Sequence, residues 1–180
     1  THSAQRSGNS VIYSWWNDTH RLVQRCDSSN RPCWPLPGVR VFPDSTGVHF
    51  AIASDGKDGV YLACHDKRGG GRVLLQHLDS SGQALHDSLR SLIYNPTTWY
   101  SNWKGICGLH DEQDGSFVVW ERWNADPMAP YYDTHEVVVQ RAGPDGTARW
   151  NPNGVMVARR SSIGDIETDG TGNLFVLCDV

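Results

Sequence analysis

One segment of this 180-residue chain is written three times, and that repetition constrains the fold more than any other feature. Residues 24–30 (Gln-Arg-Cys-Asp-Ser-Ser-Asn), 76–82 (Gln-His-Leu-Asp-Ser-Ser-Gly) and 140–146 (Gln-Arg-Ala-Gly-Pro-Asp-Gly) share a template. Four positions after each turn residue stands a large ring, Trp34, His86 or Trp150, and two copies close with Gly-Val-x-Val beginning at Gly38 and Gly154. A second block aligns without gaps at 55–64, 111–120 and 169–178, each an Asp-led turn running into an apolar stretch. A weaker copy lies at 8–16. The block ends at Trp16, Cys64, Trp120 and Cys178, so the repeat has a period of 48, 56 and 58 residues. A period of that size is one supersecondary unit copied in tandem.

Inside each copy, short β-branched and aromatic runs alternate with Asp, Gly, Asn, Ser and Pro clusters, the pattern of strands joined by hairpins. Examples are residues 11–16, 60–64, 117–120 and 137–140. Tight hairpin loops need positive φ, which glycine and asparagine supply without a Cβ clash. No dozen-residue window carries a helical period with caps. Each repeat is therefore expected to be an up-and-down meander of four strands, and a tandem array of such meanders is the signature of β-propeller blades. The fold class is all-β: three full repeats plus the opening strands of a fourth, at about 1–43, 47–93, 104–158 and 162–180 of a single domain spanning 1–180.

The ordered pattern Asp-Gly-x-x-Gly, apolar strand, Trp-x-Asp-x-Arg, Gln-Arg-x-Asp-x-x-Gly-x-x-x-Trp and Gly-Val-x-Val resembles the blade repeats of a family of bacterial secreted propeller proteins. Residues 16–18, 64–68 and 120–122 take the Trp-x-Asp corner, with Cys64 and Cys178 in place of Trp and Arg122 in place of Asp. The resemblance implies the architecture. A start at Thr1 suits a mature chain whose leader has been removed, and a disulfide between Cys26 and Cys33 would point to an extracellular or cell-surface location.

Closed propellers typically need four or more blades. A bare sheet edge invites pairing, so further copies of the chain or further blades of a longer one are expected to cover it. Net charge is −4 with Lys and Arg scattered, which argues against nucleic acid as a partner. No apolar run approaches the roughly 20 residues of a helical membrane span.

Cysteine use is sparse. Cys26 and Cys33 flank the turn at 27–32, a separation that suits a disulfide across a hairpin, while Cys64, Cys107 and Cys178 fall on apolar strands as small buried hydrophobes. None has metal-ligand spacing, and neither metal nor cofactor is expected. Asn17 opens an Asn-x-Thr glycosylation sequon. The Asp-rich turns at 55–59 and 111–115 hold oxygens a calcium ion would accept, but their recurrence with the period points to turn capping. His86 takes a ring position with a packing role, while His65 follows Cys64 at the strand corner and His110 closes an inner strand that could face a central channel and hold a ligand there. No nucleophile elbow, phosphate loop or zinc motif is present, so no catalytic residue is assigned.

Eight tryptophans are left to sort. Trp16, Trp34, Trp120 and Trp150 stand on the template and are expected to pack between blades, each burying roughly 150–250 Å². Trp15, Trp99, Trp103 and Trp123 stand off it. Three of these lie in two lengthened loops, at 94–104 and 123–132, beside Tyr100, Tyr131 and Tyr132. Long loops on a rigid scaffold are where binding resides, and rings mixed with Asn, Asp, Thr and Ser suit either a glycan or a protein surface. The function expected is a non-enzymatic binding module with Trp15, Trp99, Tyr100, Trp103, Trp123, Tyr131 and Tyr132 as ligand-binding residues. Two alternatives stay open: a glycoside hydrolase in which Asp18, Asp66, Glu121, Asp165 or Glu167 converge through the fold, and a structural self-assembly unit.

Overall fold

The computed structural model describes residues 3–17, 20–42, 50–66, 72–86, 90–91, 106–110, 113, 115–123 and 135–179. Every regular element among them is a strand. Sheet one comprises β1 (Ser3–Ser7), β2 (Ser10–Asn17), β3 (His20–Cys26) and β4 (Val39–Val41). Sheet two comprises β5 (Phe50–Ser54), β6 (Val60–Asp66), β7 (Arg72–Leu78) and β8 (Arg90–Ser91). Sheet three comprises β9 (Ile106–His110), β10 (Ser116–Trp123), β11 (His135–Ala142) and β12 (Val155–Arg159), and sheet four the pair β13 (Ser162–Thr168) and β14 (Leu174–Asp179). Each sheet is an antiparallel meander in chain order, and the opening strands β1, β5, β9 and β13 lie beside one another in succession. The architecture is an arc of β-propeller-type blades.

Three apolar layers join the arc. Ile12, Val23 and Val41 of sheet one pack on Val60, Leu62 and Leu74 of sheet two. The other face of sheet two, with Tyr61, Ala63 and Leu75, meets Val118, Trp120 and Val138 of sheet three. Val119, Val137 and Val139 then meet Ile163, Ile166, Leu174 and Val176 of sheet four. Because sheet two is covered on both sides, every residue of β6 is buried. In β14 covered and exposed residues alternate, as a strand with a single covered face requires.

The copied segment builds one turn three times. The N–H of Asp27, Asp79 and Gly143 donates to the carbonyl of Arg31, Gln83 and Thr147 at 2.9 Å in each. The bend residues Asn30, Gly82 and Gly146 have φ of 60°, 83° and 71°, which explains the Asn/Gly choice there. Asp27 Oδ1 accepts the N–H of Ser29 and Arg31, and Asp79 Oδ1 those of Ser81 and Gln83. The first hairpins repeat the device: Asp55 Oδ1 accepts from Lys57 and Gly59, Asp169 Oδ1 from Thr171 and Asn173. These oxygens cap their own turns, as expected of Asp55, while Asp111 and Asp114 of the turn at 111–115 lie outside the described residues.

Strand register corrects one alignment. The template glutamines Gln24, Gln76 and Gln140 lie opposite Tyr13, Leu62 and Val118. Two residues on, Trp15 therefore matches Cys64 and Trp120, and Trp16 is the extra ring. Gly38 and Gly154 confirm it: a Cβ there would sit 3.0 Å from Trp15 Cη2 and 2.8 Å from Trp120 Cη2, and equally close to the carbonyls of Val23 and Val139. Trp16 instead lies against the guanidinium of Arg21, which is 5.1 Å from its ring centroid and 4.3 Å from that of Phe50.

Two stability measurements follow. Gln24 accepts the N–H of Trp34 at 3.0 Å and donates to its carbonyl at 3.2 Å, so Gln24→Ala orphans two buried groups and is expected to lower the unfolding free energy by about 1–3 kcal/mol in urea titration. Hydrogen bonding from Ser81 and its turn holds Asp79 below the usual carboxylate range, and that from Asn173 and Thr171 does the same for Asp169. A depressed folded pKa gives stability that is complete above the unfolded value near about 4 and is lost as pH falls through the folded one. The urea midpoint is expected to drop below pH about 4, with a shallower acid limb after Asp79→Asn and Asp169→Asn.

Candidate functional site

Trp34 and Trp150 occupy the same place in the repeat and meet different surroundings. Both backbone N–H groups donate to the side-chain oxygen of the preceding template glutamine, at 3.0 Å to Gln24 and 3.1 Å to Gln140. The indole of Trp34 then donates to Ser80 O at 2.9 Å and lies over Gly82 in the β7–β8 turn of sheet two. Trp34 is 3% exposed. Among the described residues sheet four contributes β13 and β14 and no such turn; Trp150 is 39% exposed and tilts onto Phe117 with centroids 5.7 Å apart.

The result is an open groove of about 600 Å³ between sheets three and four. Val139, Val155 and Val157 form one wall, Leu174 and Val176 the other, and Trp150 stands with Phe117 and Asn151 at its side. Asn173 contributes an amide already bonded to Asp169 Oδ2 at 2.6 Å. Among the described residues no ionised group lines the groove. It suits an apolar ligand of modest polarity that presents a flat face to the indole.

A second cleft, of about 300 Å³, is lined by Asp55, Tyr61, His77, Asp79 and Pro144 among others. His77 Nε2 meets Asp55 Oδ2 at 2.9 Å, and the imidazole stacks on Tyr61 at 3.9 Å. Burial raises the Asp55 pKa, but the His77 bond and the N–H groups of Lys57 and Gly59 outweigh it and hold the carboxyl low. A carboxylate orienting an imidazole has the form of an acid–base pair. The repeat gives it another meaning, because Arg25 and Arg141 precede their turns at the same position. Arg25 reaches Ser10, Asp58 and Ser80, and Arg141 reaches Gln113. This position ties the third strand to neighbouring hairpins, and the Asp55–His77 bond is that tie in sheet two.

Of the aromatic residues expected to bind, Trp99, Tyr100, Trp103, Tyr131 and Tyr132 lie outside the described residues. Trp123 ends β10 opposite His135. Trp15 is half-buried and, by register, belongs to the repeat, so the reason for singling it out no longer holds. Asn17 ends β2 and is exposed; the rest of its sequon lies outside the described residues.

The expected Cys26–Cys33 disulfide is not formed, and both are free thiols. Register explains it. Cys26 bridges Pro32, and the N–H of Cys33 donates to Arg25 O at 2.7 Å, so Cys33 opposes Arg25 and projects to the other side from buried Cys26. Cys64 is buried as expected and Cys178 partly so.

The described carboxylates proposed for hydrolysis have separate surroundings. Asp66 is buried and paired with Arg72 at 3.0 Å. Glu121 accepts the N–H of Ile163 at 2.8 Å, joining sheets three and four, while Asp165 and Glu167 are exposed on β13. Asp18 lies outside the described residues. Among the described residues no group of three His, Cys, Asp or Glu is placed to hold a metal.

No family profile matches the chain, and no curated protein matches it. Among solved structures, a GH43 endo-arabinanase from Bacillus licheniformis is similar at 10% identity, with a TM-score of 0.46, over 98% of this chain and 72% of that one. A likeness of that order leaves the fold to be read from strand order and packing, as above.

The paired tryptophans make a direct comparison. Trp34→Ala is expected to cost about 3–5 kcal/mol of stability, whereas Trp150→Ala costs about 1 kcal/mol or less, both read from chemical denaturation. Equal losses would mean that Trp150 is buried in solution.

Proposed function

We propose that the chain is a non-enzymatic binding module whose partner is an extended protein segment, held in the groove between sheets three and four. The observation that carries this reading is Trp150: an indole the repeat otherwise buries stands 39% exposed in an apolar groove. Beside it, β14 has β13 as its single described neighbour, which leaves the N–H and C=O groups of its far edge for an added strand. Strand addition draws affinity from main-chain hydrogen bonds and specificity from side-chain pockets, and both elements are together here.

The repeat describes the segment that fits. Third strands read Leu-Val-Gln-Arg at 22–25, Leu-Leu-Gln-His at 74–77 and Val-Val-Gln-Arg at 138–141. A partner of β-branched or leucine residues followed by glutamine matches that wall. A glycan is the second reading, favoured by the Trp and Tyr residues mixed with Asn and Thr at 94–104 and 123–132. An extracellular or surface setting belongs to the same proposal.

A fluorescent peptide of residues 136–142 tests the main reading. Saturable binding that is lost in Trp150→Ala and in Val176→Lys is the expected result. A peptide that does not bind, combined with a glycan-array signal abolished by Trp99→Ala or Trp123→Ala, replaces it with the glycan reading. Turnover of a chromogenic glycoside that depends on one carboxylate replaces it with an enzyme.

A further inference from the structure

The two ends of the arc present unmatched halves of the interface that joins its interior sheets. Within the chain, Tyr61 and Ala63 of β6 face Val118 and Trp120 of β10, and all four are buried. By register the equivalents of the first pair are Phe175 and Leu177 on β14, which are 61% and 63% exposed. The equivalents of the second pair are Tyr13 and Trp15 on β2, the former 38% exposed. The chain thus carries one donor face and one acceptor face of the same kind, neither covering the other.

Charge distinguishes them. On the outer face of sheet four, Glu167 lies opposite Phe175, Asp165 opposite Leu177, and Asp179 follows two residues further along β14. All three carboxylates are exposed. On the outer face of sheet one, Arg6 lies opposite Val11 and Arg40 opposite Leu22, in the row of Trp15. Both arginines are exposed. An acidic rim around two apolar side chains meets a basic rim around two rings, the arrangement that steers and orients association.

We infer that the outer face of sheet four docks on the outer face of sheet one of a second copy, head to tail, continuing the packing that joins sheets two and three. Such a contact is heterologous and leaves a free face at each end until a ring closes. It uses the side of β14 opposite the groove, so it stands independently of the proposed peptide binding.

The test is mass in solution by sedimentation across a concentration series, at low and high salt. Mass is expected to rise with concentration and to fall with added salt. Leu177→Glu, a substitution at an exposed position, is expected to abolish the rise. Charge reversal by Arg6→Glu with Arg40→Glu, or by Asp165→Lys with Glu167→Lys, is expected to weaken association about tenfold or more. Mixing the two reversed proteins is expected to restore it, since each then offers a complementary face to the other. Circular dichroism establishes that each variant is folded. A monomer at every concentration, association indifferent to these substitutions, or a mixture no tighter than its components overturns the inference.

Discussion

A meander with two apolar faces is stable only when both are covered, and that requirement organises this protein. Sheet two satisfies it completely, so β6 is buried at all seven positions and tolerates a strand sequence with no polar alternation. Sheet four satisfies it on one side, and its second strand alternates instead. The same kind of sequence, Asp-turn then apolar run, therefore yields a fully buried strand in one place and a half-exposed one in another. Burial is worth roughly 25 cal/mol per Å² of apolar surface. The difference between the two environments is a difference in how many neighbours each sheet has.

Local chemistry makes each meander before packing acts on it. The turn carboxylates use one oxygen to hold two backbone N–H groups, which closes the hairpin without any long-range contact. The template glutamine then fixes the path from third to fourth strand by holding the ring residue's backbone. In the second repeat, where His86 stands in the ring position, Gln76 Oε1 has no partner among the described residues. Clamp and tryptophan thus belong together: the glutamine positions the backbone, and the ring covers the next sheet's turn.

Much of this was legible because turn chemistry is local and periodic. Asp, Gly and Asn at fixed offsets show hairpins directly, and three copies in register show the sheet count. Facing was harder, because adjacent strand residues point to opposite sides. Trp15 and Trp16 are neighbours, and the first hairpin, a tight turn at Gly8 and Asn9, lacks the Asp-led loop that anchors the alignment in the other copies. A shift of one residue exchanged the structural ring and the extra one. The cysteine pair failed for the same reason: a plausible span says nothing about which side of a hairpin each thiol occupies. Trp150 takes the same glutamine clamp as Trp34, yet its exposure depends on a neighbour, and no property of its own segment reports that.

The charges on the terminal faces bear on how such an arc selects partners. An exposed face carrying Phe175 and Leu177 has no geometric preference between a copy of itself and a sheet-one face, since both are apolar and strand-like. Three carboxylates across that face decide it. Two copies meeting through sheet four would bring six like charges together, from Asp165, Glu167 and Asp179 of each, with the repulsion rising as water is excluded. The face bearing Arg6 and Arg40 meets the opposite condition. Apolar side chains supply the attraction and the charges supply the choice. Within the chain, where covalent connection already fixes which sheets meet, the corresponding layers contain Ala, Val and Trp instead and need no such rim.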